Sequence, residues 1–362
     1  MVIMENPHSL TLITVSGSHR EMGRQIGEAT REKVKHSISS ARTLLADAYD
    51  SLQLDWDGAI IQARKYMPFA EESFPQYVEE IRGIAEGSNC AFDDLAVINA
   101  MEAVTMDALH LTKCTSMAVS QERTTNGHVL IAHNEDWLPE DEPDVFLIHA
   151  KPEDEPQFLA MTYGGLLPNI GFNACGIAQC CDSVYPTDSR IGVPRIIVSR
   201  GVLGARTPAD AIRMVLSPQR AAGYNHLIVH ESGEIYSVEV SARHFAVLYA
   251  EDGMMVHTNH FLDDEMRKIE NEPDELVHTR VRYFRAKRLV AQTRQHTIKT
   301  LQAIQKDHVS YPDSICNHST VGDPLDRQKT ITAMTIDLTQ REMHATRGNP
   351  CQNMFSTYHL DA

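Results

Sequence analysis

At residue 114 the hydrophobic period of the chain changes. Before it, Met22, Ile26, Ala29, Val34, Ile38, Ala41 and Leu45 recur at roughly helical spacing through about residue 47. A short strand at Leu10–Val15 precedes them, and Ser18 with Glu21 forms a capping-box signal between the two. Further helices are predicted near 55–67, over about 71–87 with a stop at Gly87-Ser88-Asn89, and from Asp93 to about Leu109. From Cys114 onward, short alternating runs take over at 115–121, 128–133, 145–150, 158–163, 170–174 and 177–181. Thr207-Pro208 opens another helix, with a capping Thr and Pro at the first helical position. Strands return at 226–230, opened by Tyr224-Asn225-His226, and at 235–240, 244–249 and 254–258. Helices follow near 275–292 and 297–306, and a last strand pair at 330–337 and 342–346. Strands grouped in runs, without regular βαβ alternation, favour antiparallel sheets with helices packed outside, an α+β chain. The acidic stretch Pro139 to Asp144 reads as a solvated turn.

The 362 residues suffice for one large domain or two ordinary ones, and no repeat, low-complexity stretch or linker divides them. A formal charge of −16 opposes bulk association with nucleic acid or anionic membrane. No apolar run reaches the roughly 18 residues of a membrane span. Met1 to His8 lacks a basic stretch followed by an apolar core, so no secretory leader is expected. The seven cysteines (Cys90, Cys114, Cys175, Cys180, Cys181, Cys316 and Cys351) include no C-x-x-C pair and are odd in number. That argues against a zinc knuckle and a disulfide framework and suits a reducing cytoplasm.

One cysteine stands in a setting that carries chemistry. Cys114-Thr115-Ser116-Met117-Ala118-Val119-Ser120, the Asn126-Gly127 turn and His133-Asn134-Glu135-Asp136-Trp137 read as a hairpin. The hairpin puts a thiol at the start of one strand and carboxylates at the end of its neighbour. Were the Lys113–Cys114 bond cut, one residue would carry both a nucleophile and a base. A free thiol titrates near about 8.5 and an α-amine near about 7.7–8.0, so the amine can take and return the thiol proton at working pH. His133, His257 and His260 raise the question of a metal, but the spacing matches no standard zinc site, and no metal is expected. G-x-S-x-G, H-E-x-x-H, G-x-G-x-x-G and P-loop patterns are all missing.

Several segments recur together, in this order, in one group of proteins. They are Glu80-Ile81-Arg82-Gly83-Ile84-Ala85-Glu86-Gly87, the Cys114-Thr115-Ser116 start, His133-Asn134-Glu135-Asp136, residues 170–178, residues 256–260 and residues 345–351. On them the chain resembles the acyl-coenzyme A:6-aminopenicillanate acyltransferase family, which also includes hydrolases of N-β-alanyl amines. The resemblance implies an N-terminal-nucleophile hydrolase, with a four-layer αββα sandwich of two antiparallel sheets flanked by helices. It implies self-cleavage at Lys113–Cys114 into a mostly helical α chain, residues 1–113, and a β chain, residues 114–362, held in one folded domain. By motif it makes Cys114 the nucleophile. Asp136 would accept from the α-amine, with Glu135 its neighbour and rival. Asn259 would donate to the oxyanion, and Arg327 would pair with Asp136 or clamp a substrate carboxylate. Asn134, Glu135, Asn173 and Asp182 are the further substrate-side candidates. The chain departs from the pattern at Lys113, where many relatives have Gly, and at Asn317, where many have Arg. It departs again at Asp182, where a neutral residue is expected.

Two readings follow. One is a self-processing cysteine amidohydrolase or acyltransferase that cleaves a small N-acyl compound through a thioester on Cys114. It needs no cofactor, and acyl-coenzyme A enters only as a substrate if the enzyme transfers. The strong negative charge favours hydrolysis. Its partners are the small N-acyl substrate and its own two fragments, with self-association allowed and no nucleic acid or membrane. The other reading, suggested by Lys113, is an unprocessed binding or structural relative on the same scaffold.

Overall fold

A computed structural model describes residues 9–105, 113–271, 276–319 and 327–360. The first third is helical after one strand: α1 (His19–Ala29), α2 (Arg31–Asp47), α3 (Tyr49–Leu52), α4 (Trp56–Ser73), α5 (Pro75–Ser88) and α6 (Phe92–Val104). The later helices are α7 (Arg195–Leu203), α8 (Pro208–Val215), α9 (Val277–Gln292) and α10 (Ile298–Gln305). Ser18 caps α1 through the expected reciprocal bonds with Glu21, and Thr207 caps α8.

The strands form two sheets. The larger joins β1 (Leu12–Gly17), β4 (Val145–Pro152), β5 (Phe158–Tyr163), β6 (Ile170–Asn173), β7 (Ile177–Asp182), β8 (Tyr224–His230), β9 (Ile235–Val240) and β10 (Phe245–Tyr249), neighbours in that order. It is antiparallel except at its edge, where β1 runs parallel to β4. The smaller runs β11 (Met254–His257), β2 (Lys113–Val119), β3 (Leu130–Trp137), β13 (Gln328–Asp337), β14 (Glu342–Arg347) and β15 (Ser356–His359), with β12 (His318–Ser319) on β13.

Side-chain alternation stacks these elements in four layers. Phe146, Ile148, Phe158 and Ala160 face the helices and pack with Val34, Tyr77, Ile81 and Leu95. Leu147, Leu159, Phe172 and Ile228 face the other sheet and pack with Ala118, Ile131, Met334 and Ile336. Met117, Val119, Leu130 and Ala132 point the opposite way, onto Tyr283 and Val290 of α9 and Leu301 and Ile304 of α10. Each central strand is therefore buried on both faces, and the order is helix, sheet, sheet, helix.

The outer helices lock closely. A Cβ on Gly23 of α1 would lie 2.1 Å from the Glu80 carbonyl oxygen of α5, and one on Gly83 would lie 2.2 Å from that of Arg20. Only hydrogen fits there. Under this contact, buried Glu80 takes the Arg200 guanidinium from α7 and His19 from α1.

Several expectations need correction. The helix expected near 55–67 runs on to Ser73, taking residues 71–73 from the one expected over 71–87, which begins at Pro75 and ends at Ser88. Helix α7 and strand β15 had no clear periodic signal. The end expected for the fourth helix, beyond residue 105, lies outside the described residues. The acidic stretch Pro139–Asp144 is a 3-10 helix rather than a solvated turn. Its Asp141 and Asp144 are buried, held by the Trp137 indole N–H at 2.7 Å and by His36 at 2.5 Å. Among the described residues no helix is long and apolar enough to cross a membrane.

Candidate active site

The register of β2 on β3 puts Lys113 opposite Asp136 and Cys114 opposite Glu135. On its other side β2 pairs with β11 only as far as Ser116, opposite His257. Beyond that point side chains take over the backbone of Cys114. Its N–H donates to Asn259 Oδ1 at 2.8 Å. Its carbonyl accepts from Arg282 Nη1 at 2.5 Å, and the same nitrogen reaches Thr115 Oγ1 at 3.0 Å. Arg282 Nη2 donates to Asn259 Oδ1 at 2.8 Å, and Asn259 Nδ2 donates to the Ser183 carbonyl at 3.1 Å. Two donors at one end and a carbonyl at the other fix the orientation of the Asn259 amide.

Cys114 is 2 % exposed, and its sulfur lies 3.8 Å from Glu135 Oε2. That oxygen also meets His133 Nε2 at 2.8 Å, and His133 Nδ1 meets Ser116 Oγ at 2.9 Å. Ser116 Oγ donates to Asp182 Oδ1 at 2.8 Å, and Asn225 Nδ2 to Asp182 Oδ2 at 2.9 Å. The hydroxyl has one proton, and Asp182 receives it. His133 must then donate from Nδ1, so one proton is shared between its Nε2 and Glu135. The chain Asp182, Ser116, His133, Glu135 ends at the sulfur.

Asp136 accepts from Thr330 Oγ1 at 2.6 Å, and its Oδ2 is buried with no hydrogen-bond partner among the described residues. A register shift in β13 between Thr330 and Thr332 brings that hydroxyl opposite Asp136. Burial pushes the Asp136 carboxyl up to about 7, against the pull of Arg282 and Thr330. Burial, with Glu135, Asp182 and Asp136 adding to it, pushes the Cys114 thiol well above its ordinary value. In the continuous chain the sulfur is therefore a neutral thiol that needs a base. Lys113 turns away to pair with Asp313 at 2.9 Å.

Of the residues singled out in the sequence, Cys114, Glu135, Asp136 and Asn259 are brought together, and Asp182 joins through Ser116 rather than by facing a cleft. Three are not at the thiol. Asn134 spends its Nδ2 on the carbonyls of Gln305 and Ile315. Asn173 ties down a turn, donating to Leu203 and Ala205 and accepting from the amides of Cys175 and Ile177. Arg327 pairs with Glu140 at 3.3 Å, not with Asp136. The arginine at the cysteine is Arg282, which no sequence motif singles out. A signal existed, because Thr279, Arg282, Tyr283, Ala286 and Val290 form the buried stripe of α9, and an arginine stood in it. Asn259 also departs from expectation, since its N–H is committed to Ser183 and its oxygen faces the Cys114 nitrogen.

Glu135 leads from the thiol into a cleft between the sheets and α6. Its walls are mostly apolar, with Met161, Trp137, Tyr163 and Tyr224, and α6 contributes Ile98 and Glu102. Arg195 lies over the Tyr224 ring at 4.7 Å and pairs with Glu102. Cys114, His133 and Glu135 hold sulfur, nitrogen and oxygen within 4.8 Å of one another, a possible ligand trio in which both ring nitrogens already have partners. His257 and His260 do not join it: His257 meets Glu239 and Asp182, and His260 meets Thr258 and Thr279.

The chain is similar to several known proteins. The family model of acyl-coenzyme A:6-aminopenicillanic acid acyl-transferases matches residues 123–352. The 40 kDa form of the acyl-coenzyme A:6-aminopenicillanic-acid-acyltransferase of Emericella nidulans is 23% identical over 341 residues, 93% of this chain and 92% of that protein. The β-alanyl-dopamine/carcinine hydrolase of Drosophila melanogaster is 24% identical over 233 residues, 59% of each. Among solved structures, penicillin V acylase from Agrobacterium tumefaciens aligns with a TM-score of 0.45 and 16% identity, over 64% of this chain and 82% of that one.

Proposed function

The chain belongs to the acyl-coenzyme A:6-aminopenicillanic acid acyl-transferase family, and on that premise we propose a self-processing cysteine amidohydrolase that cleaves small N-acyl compounds. The observation that carries this reading is the treatment of Cys114, whose backbone N–H is held by a side-chain carbonyl beside its own buried sulfur.

Processing starts with the Cys114 thiol attacking the Lys113 carbonyl. The new C–S bond replaces the C–N bond, and the thiol proton goes to the departing nitrogen. Water then opens the thioester and releases Lys113 as a carboxylate. The freed α-amine stays where the amide was, against Asn259 Oδ1. Asp136, opposite Lys113 and buried with an open oxygen, is placed to compensate the new ammonium. In turnover the thiol attacks the substrate amide, the α-amine takes its proton, and the amine leaves with that proton. The acyl group remains on Cys114 as a thioester until water removes it. Arg282 is a positioning residue that holds both Asn259 and the Cys114 carbonyl.

The apolar and aromatic cleft walls suit a hydrophobic portion of the substrate. Glu135 and Asp141 on the same walls, beside the paired Arg195 and Glu102, leave no free cation there among the described residues for a polyphosphorylated donor, so hydrolysis is preferred to transfer from acyl-coenzyme A. Residues 1–113 and 114–362 would stay together after scission, because α1 to α6 share one core with β4 and β5. The Lys113–Asp313 pair supports the competing reading of an unprocessed scaffold, since it holds the residue before the cysteine in place.

Intact mass and N-terminal sequencing of wild type and Cys114→Ala, with a panel of N-acyl amines and amino acids, decide between them. Two fragments, the larger beginning Cys-Thr-Ser, with cleavage and turnover both lost in the variant, are expected. A permanently single chain, or turnover that survives in Cys114→Ala, overturns the proposal.

A further inference from the structure

Away from the thiol, four metal-ligating side chains converge from three segments. His308 follows α10, Cys316 lies just before β12, His318 opens that strand, and Cys351 follows β14. Their ligand atoms all lie within 4.8 Å of one another. His318 Nε2 is 3.2 Å from His308 Nε2, 3.4 Å from Cys316 Sγ and 3.3 Å from Cys351 Sγ.

Hydrogen bonding alone explains this poorly. An imidazole nitrogen offers one lone pair or one proton, yet three polar atoms crowd this one. A central cation explains it directly. Zinc binds sulfur at about 2.3 Å and imidazole nitrogen at about 2.0–2.1 Å, so the edges of its tetrahedron run from about 3.3 to 3.8 Å. The three distances lie about 0.1–0.3 Å short of the matching edges. Asn349 Nδ2 also donates toward Cys316 Sγ at 3.5 Å and to the Asn317 carbonyl at 2.7 Å, an orienting contact of the kind a metal-bound thiolate receives.

We propose that His308, Cys316, His318 and Cys351 form a closed, structural zinc site. No metal is expected from the sequence, which has no C-x-x-C pair and whose His133, His257 and His260 match no standard zinc spacing; Cys316 and His318 meet their partners only in the fold. Binding displaces two thiol protons, leaving a neutral complex of two thiolates and two imidazoles. No position is left for water, so the ion is not a catalyst.

The site's place in the fold gives it a purpose. The segment it pins carries Asp313, the partner of Lys113, and Asn317, whose backbone N–H and C=O both bond Thr330. Thr330 in turn donates to Asp136. The ion would fasten the support of both sides of the Lys113–Cys114 bond. The existence of the site does not depend on that bond being cut.

The test is metal content of the full chain, purified under reducing conditions with zinc supplied, together with zinc affinity by competition against a chromophoric chelator. About one zinc per chain is expected, with Cys175→Ser unchanged. Affinity should fall at least about 100-fold in Cys351→Ser and in His308→Ala. His308 is exposed, so its variant keeps the fold. Cobalt-loaded protein should show a thiolate charge-transfer band that Cys351→Ser weakens. Wild type that binds no zinc, ligand variants that bind it as tightly, or a Cys316–Cys351 disulfide in the reduced preparation overturns the assignment.

Discussion

Arg282 meets the Cys114 carbonyl, Thr115 Oγ1 and Asn259 Oδ1 with the two arms of one guanidinium. A lysine offers a point charge and cannot span them. Arg282→Lys should therefore lower both processing and turnover by roughly 10²-fold or more, close to the loss in Arg282→Gln, while the far-UV spectrum stays the same. Fragment ratios over time and kcat of the processed fraction measure the two effects. Asp136 makes a prediction about pH. Its folded value, about 7, lies above the ordinary carboxylate value, so the folded chain binds the proton more tightly. Its contribution is intact below about pH 4 and is lost as pH rises through 7, a cost of up to about 4 kcal/mol. In a Cys114→Ala background, Asp136→Asn should gain stability over its parent as pH rises across that window. Urea melts at pH 5 and pH 8 read this, and parallel curves at both would refute it.

Among the elements, the tightest fit is α1 against α5. Gly83→Ala puts a methyl against the Arg20 backbone, and overpacking of this kind costs about 1–3 kcal/mol. A thermal melt compared with exposed Gly127→Ala, a turn with open space around it but a strained φ of 71°, separates overpacking from backbone strain. The first helix and the β2–β3 hairpin were legible because capping and alternation are local signals: Ser18 with Glu21, and Asn126-Gly127 between two apolar runs. The hairpin alone sets Cys114 beside Glu135, so half of the candidate site could be read from two strands. The other half could not. Asn259 and Arg282 reach the cysteine because β11 stops pairing two residues short of it and α9 packs against β2, and neither fact is local. Arg327 was assigned by motif alone, and the fold pairs it with Glu140 while Arg282, from the buried stripe of α9, reaches Cys114. Helix α7 was missed because it is buried on all sides and has no polar face to set a period.

Across the whole molecule the two sheets are joined by charge as well as by packing. His257 of the smaller sheet meets Asp182 and Glu239 of the larger. Burial pushes its imidazole down, but the two carboxylates outweigh burial and hold it at about 9. A histidine raised in the folded state stabilises fully below about pH 6.5, and that gain is lost as pH rises through 9, on the order of 3 kcal/mol. His257→Gln in the Cys114→Ala chain should be less stable at pH 6 and close to its parent at pH 9.5. An equal deficit at both would show that shape, not charge, makes the tie. The switch of period at Cys114 made antiparallel sheets with helices outside readable, and the four-layer order came only with the family resemblance. Which strands neighbour which was not readable, because β3 finds β13 across nearly two hundred residues.

The cleft beside Glu135 takes Ile98 and Glu102 from ahead of the proposed scission point and Trp137, Tyr163 and Tyr224 from behind it. Selectivity would then be co-authored by two polypeptides that inherit one gene. A chimaera that borrows its leading hundred residues from a relative would keep its reactive sulfur and change its taste in substrates.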